Sequence, residues 1–146
     1  MKSRSATEQA LGLLARREHS AAELQQKLQH AGHETDKIHD ALATLQQNGL
    51  QSDQRFAEAY IRSRLLRGYG ELRIRQELKQ KGVADELTNL SMQQAEIDWF
   101  AQAAEVRCKR FGEQRPDDFK DRARQMRFLQ YRGFTHDQIT ESFKLN

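Results

Sequence analysis

The chain has 146 residues, 37% apolar and 31% charged, with a net charge of +3 and one cysteine, Cys108. An apolar share below the usual globular ~45–50% disfavours one deep core, and a lone cysteine excludes an internal disulfide. No run approaches the ~20 apolar residues of a membrane helix. Lys2 and Arg4 lead into no signal core, because Thr7, Glu8 and Gln9 interrupt it, so a cytoplasmic, reducing compartment is expected.

Nearly the whole chain is predicted helical, and the single proline, Pro116, permits long helices. Ala10, Leu11 and Leu14 stripe a first helix that ends near Arg17. Ser20 and Glu23 form a capping box that opens the second, with Leu24 and Leu28 on one face and Gly32 as its left-handed stop. Thr35 starts a third helix that buries Ile38, Leu42 and Leu45 and ends at Gly49. Asp53 is predicted to cap a fourth, stapled by Leu50 and carrying Phe56, Ala59, Tyr60 and Leu66. Gly68-Tyr69-Gly70 breaks it, and a fifth runs from about Glu71 to Lys81, with Ile74 and Leu78 inward and Gly82 as stop. Residues 84–111, with Leu87, Leu90, Ile97, Phe100, Ala104 and Phe111, divide into a short and a longer helix near Ser91. Pro116 and Asp117 start the next, through Phe119, Met126, Leu129 and Tyr131 to Gly133. Thr135 caps a last one with Ile139 and Phe143.

The elements repeat. Leu24, Leu28 and Gly32 map onto Ile74, Leu78 and Gly82 at an offset of 50. At an offset of 115, Ser20 maps onto Thr135, and Leu24 and Leu28 map onto Ile139 and Phe143. Arg17, Arg67 and Arg132 also coincide, each just before a turn. The expected fold is all-α, with helical modules over residues 1–50, 51–95 and 96–146. Modules this small hide too little apolar surface to stand alone, so they should stack into an elongated, curved array.

Charge is uneven along that array. Residues 55–82 hold eight Lys/Arg against three acids, a local +5, while the two flanks carry −1 each. Arg62, Arg64, Arg67, Arg73, Arg75, Lys79 and Lys81 surround Tyr69, which could stack on a base or on a guanidinium. A second stretch, residues 107–132, holds nine basic residues from Arg107 to Arg132 against four acids, with Arg124 and Arg127 at i,i+3. Such localised fields point to a polyanionic partner. The competing reading is a solvated face supported by the i,i+4 pairs Glu71–Arg75 and Glu77–Lys81, with Tyr69 merely covering the helix junction.

Catalytic patterns are missing. His30, His33 and His39 cluster near one turn, but Cys108 is distant and no Cys-x-x-Cys or His-Glu-x-x-His occurs, so no metal site is expected. Gly68-Tyr69-Gly70 lacks the Lys-Ser/Thr of a phosphate loop. Asp117, Asp118 and Asp121 sit at a helix start, where the dipole accounts for them. Neither enzymatic activity nor a cofactor is expected.

The run from Tyr60 to Val83 resembles the signature of the RecX family, regulators of the RecA recombinase. The resemblance rests on Arg62-Ser63-Arg64, Arg67-Gly68-Tyr69-Gly70 and Arg73 through Val83. It extends to Leu50, Asp53, Phe56 and Ala57, to Ile97-Asp98-Trp99, to Arg110 through Glu113, and to Arg127 through Phe134 with Ile139. Glu71 stands where the family usually has proline; both suit a first helical turn. Membership implies three tandem three-helix modules. It also implies a protein, expected monomeric, that binds RecA filaments on single-stranded DNA, suppresses ATP hydrolysis and strand exchange, and favours filament loss. The partner surface it implies comprises Arg62, Arg64, Arg67, Arg73, Arg75, Lys79 and Lys81, meeting acidic RecA surfaces or DNA phosphates. A stand-alone DNA-binding protein is the alternative, although Glu71 and Leu72 at the start of what would be its recognition helix disfavour base readout.

Overall fold

The computed structural model describes residues 4–144; Lys2 lies outside them. Nine helices and no strand occur among the described residues. They are α1 (Ala6–Arg16), α2 (Ala21–His30), α3 (Thr35–Gln47), α4 (Asp53–Leu66), α5 (Glu71–Gln80), α6 (Asp85–Ala95), α7 (Trp99–Phe111), α8 (Phe119–Arg132) and α9 (His136–Ser142). None is long and apolar enough to cross a membrane. The chain divides into two compact units. One holds residues up to Tyr60 with Leu78–Ser91, and the other holds Ile61–Glu77 with Met92 onward. Helices α4, α5 and α6 therefore each give residues to both units.

In the first unit α1, α2 and α3 pack on one another around Ala6, Ala10, Leu24, Leu28, Ile38, Ala41, Leu42 and Leu45. In the second, α7, α8 and α9 do so around Ala103, Val106, Leu129, Phe134, Ile139 and Phe143. Every apolar position of the internal repeat is buried: Leu24, Leu28, Ile74, Leu78, Ile139 and Phe143 are at most 4% exposed. The matched caps agree as well. Ser20 with Glu23, and Thr135 with Gln138, both close complete capping boxes. The expected stops Gly32, Gly49, Gly82 and Gly133 all have positive φ.

Several expectations shift. Leu11 and Leu66 point outward, at 41% and 88% exposure, and the stripes pass through Ala6 and Ile61 instead. Leu50 is 47% exposed and makes a poor staple. Ser52, not Asp53, receives the first-turn amide of α4, from Arg55. The Asp53 carboxylate accepts from the Ala21 amide at 2.8 Å and from Gln51 Nε2 at 2.9 Å. The break expected near Ser91 falls after Ala95, at Glu96 with φ +50, and Ser91 is buried inside α6. Asp118 rather than Pro116 or Asp117 caps α8, taking the Asp121 amide.

A polar knot ties the first unit together. Ser20 Oγ donates to the Lys81 carbonyl at 2.7 Å while also receiving the Glu23 amide. Glu23 is met by Arg17, by the Ser20 amide and by Lys81 Nζ. Burial alone would raise its pKa, but these partners outweigh it and hold the carboxyl down at about 2. His19 is buried, its Nδ1–H donating to the Arg17 carbonyl at 3.0 Å and its Nε2 accepting from Lys27 Nζ at 2.9 Å. Burial lowers its pKa below 6.5, and the Arg17 and Lys27 charges act in the same direction.

Both shifts destabilise the unit in acid. A group whose folded pKa is depressed contributes stability above its unfolded pKa and loses it as pH falls through the folded one. Stability should therefore decline first below pH 6.5 as His19 charges, then again below about 4.5 as Glu23 is protonated. The Glu23 step is worth on the order of 2 kcal/mol after screening at the half-exposed Arg17 and Lys81 heads. Thermal melts of wild type and His19→Gln from pH 8 to pH 5 check this: the Tm loss over that range should shrink in the variant.

Candidate partner-binding surface

The Gly68-Tyr69-Gly70 turn is built against the turn between α8 and α9. The Gly70 amide donates to the Arg132 carbonyl at 2.8 Å, and the Leu72 amide to the Gly133 carbonyl at 3.0 Å. The first amides of a helix have no internal partner, and glycine before α5 offers no capping side chain, so these two carbonyls act as the cap. The approach requires glycine on both sides. A Cβ on Gly70 would lie 2.5 Å from the Gly133 carbonyl carbon, and one on Gly133 2.4 Å from Arg73 Cβ.

This contact gathers arginines from separate helices around one ring. The guanidinium carbons of Arg64, Arg73 and Arg132 stand 4.8, 4.4 and 5.0 Å from the centroid of Tyr69. Of the two partners foreseen for that ring, guanidinium is the one in contact with it. Glu77 holds Arg64 through two bonds, at 2.9 and 3.1 Å, and also takes Arg73 Nε at 3.3 Å. Arg73 Nη1 reaches the Tyr131 carbonyl, and its guanidinium also lies over the Tyr131 ring. Burial alone would depress the Arg73 pKa, but the Glu77 and Tyr131 bonds raise it. Arg132 Nη1 donates to the Arg67 carbonyl at 2.7 Å. Two of the arginines aligned by the repeat thus meet across the junction.

The other expected site residues divide between the units. Arg75 pairs with Glu71 at 2.9 Å, as the helical spacing implies. Lys81 does not pair with Glu77; it reaches Glu23 in the first unit, because Arg64 and Arg73 occupy Glu77. Arg62, Arg67 and Lys79 are exposed, and their charged heads meet no partner among the described residues. In the second basic stretch Arg124 is engaged by Asp121 at 2.8 Å and lies over Phe111, whereas Arg127 is exposed. Arg107 is not on the surface at all. It is 1% exposed and donates to the Ser142 carbonyl and to Gln125. Its spacing from Ala103 and Ala104 places it on the inward face of α7, a signal that a count of charges overlooks. His33 bonds Gln9, and no group of three or more potential metal ligands occurs among the described residues.

Residues 6–45, 52–89 and 96–142 match, in turn, the first, second and third three-helix domains of RecX. The chain belongs to the RecX family. A Regulatory protein RecX from Halorhodospira halophila is 51% identical over 130 residues, spanning 89% of this chain and 81% of the relative. One from Legionella pneumophila is 44% identical over 139 residues, spanning 95% and 93%. The crystal structure of RecX from Lactobacillus salivarius superposes with a TM-score of 0.78 at 20% identity, covering 95% of this chain and 92% of that one. The all-α fold of three tandem three-helix modules is thus a RecX fold.

Gly133→Ala tests how far the cluster depends on the turn contact. It combines a left-handed φ with a backbone clash, and should cost about 2–4 kcal/mol, or about 5–15 °C in Tm at this size. Gly32→Ala has a similar φ but open space around the added carbon, so it should lose clearly less. Equal losses in thermal melts would show that the contact at Gly133 does not limit stability.

Proposed function

We propose that this chain is a negative regulator of homologous recombination and the SOS response, binding RecA filaments on single-stranded DNA. It inhibits their ATP hydrolysis and strand exchange and favours loss of the filament. Family membership carries the reading, and the sorting of the arginines supports it. Arg64, Arg73 and Arg132 are fixed around Tyr69, so the exposed Arg62, Arg67 and Lys79 are left with uncompensated charge for an acidic surface or a phosphate. Such a protein works by occupancy: its binding energy competes with the contacts that hold a filament together, and no bond is made or broken. We take residues 1–50, 51–95 and 96–146 as its modules, acting as a monomer in the cytoplasm.

The stand-alone DNA-binding alternative is weaker. A recognition helix presents its N-terminal residues to base edges. Here the Gly70 and Leu72 amides are bonded to the α8–α9 turn and Glu71 is bonded to Arg75, so the start of α5 is occupied.

RecA ATPase on single-stranded DNA, measured with substoichiometric protein, tests the proposal. Wild type should inhibit. The Arg62→Glu/Arg67→Glu double variant should need about tenfold more protein for half-inhibition, with Tm little changed because neither head has a partner to lose. Wild-type potency in the variant, or tight salt-sensitive duplex binding without inhibition, would overturn it.

A further inference from the structure

Beside the Tyr69 cluster lies an open cleft of ≈240 Å³, walled by the end of α4 and by α7 and α8. Its apolar lining comes from Leu65, Val106 and Phe128, with Leu66 at the mouth. Leu66 is 88% exposed at the end of α4, which sets an accessible apolar side chain beside the charged rim. The rim carries Arg67, Lys109, Arg110 and Arg132 against one acid, Glu105, a local excess of +3. Lys109 meets that acid only loosely, at 3.6 Å with both heads largely exposed. The walls are set beforehand: Gln102 Nε2 donates to the Leu65 carbonyl at 2.9 Å, and Arg132 to that of Arg67.

From this we infer a docking site for an acidic protein segment that inserts one large apolar side chain over Leu66 while its carboxylates engage Arg67, Lys109 and Arg110. The volume is below the ~300–1,000 Å³ of small-ligand pockets and suits a single anchor residue. Nucleic acid fits less well. The Phe128 ring already has the guanidiniums of Arg110 and Arg132 over it, at 5.5 and 4.9 Å, and meets Phe111 edge-on, so a base would compete with three existing neighbours for that ring. The site stands whether or not the filament reading holds, because it rests on the cleft's own chemistry.

Fluorescence anisotropy of the full chain tests it, using a labelled synthetic peptide with one phenylalanine flanked by aspartates. Binding should saturate. It should weaken at least about tenfold in Leu66→Ser, in Arg110→Glu, and when the peptide's phenylalanine is replaced by serine. Lys37→Glu, on α3 in the other unit, should change nothing. The peptide comparison uses wild-type protein, so it decides even if a variant misfolds. Absence of saturation, or equal binding of the serine peptide, would overturn the inference. So would oligothymidylate binding that depends on Leu66 while peptide binding does not.

Discussion

Helix α5 begins without a side chain that could cap it, and its first free amides are met by two carbonyls of the α8–α9 turn. Much of the second unit follows from that exchange. Two backbones can approach so closely only where both lack a Cβ, at Gly70 and Gly133. The approach brings Arg132 within reach of both the Arg67 carbonyl and the Tyr69 ring, and Arg73 within reach of Tyr131. Lost hydrogen bonds at the helix start and lost cation–π contacts would therefore come together, as parts of one junction.

The junction also determines which charges are available to a partner. A guanidinium stacked on an aromatic ring and bonded to a carboxylate is already neutralised and held in place. A guanidinium in water is neither. Glu77 and Tyr69 make Arg64 and Arg73 structural, Arg107 is buried beneath α9, and Arg75 answers Glu71. The excess of +5 between residues 55 and 82 is thus divided between charges that build the protein and charges left for binding, with Arg62, Arg67 and Lys79 in the second group.

Most of the helices were legible because their signals are local. Ser20 and Glu23 lie three residues apart, Leu24 and Leu28 four, and glycine marks the stops. Where the reading failed, a distant residue had intervened. Asp53 looks like a cap until the Ala21 amide comes within 2.8 Å of it, and Lys81 should pair with Glu77 until Arg64 and Arg73 occupy that carboxylate. Leu66 fits the helical stripe by spacing, yet it falls beyond the buried segment and emerges at the cleft. Aligned arginines before aligned turns hinted that the turns are equivalent, but not that two of them would dock on each other.

The central claim is that the α8–α9 turn caps α5. Hydrogen exchange at the Gly70 and Leu72 amides measures it directly, since neither has a partner within its own helix. Both should exchange at least about a hundredfold more slowly than an unprotected amide, and Gly133→Ala should remove most of that protection. Exchange at the rate of an open turn in the wild-type protein would contradict the account.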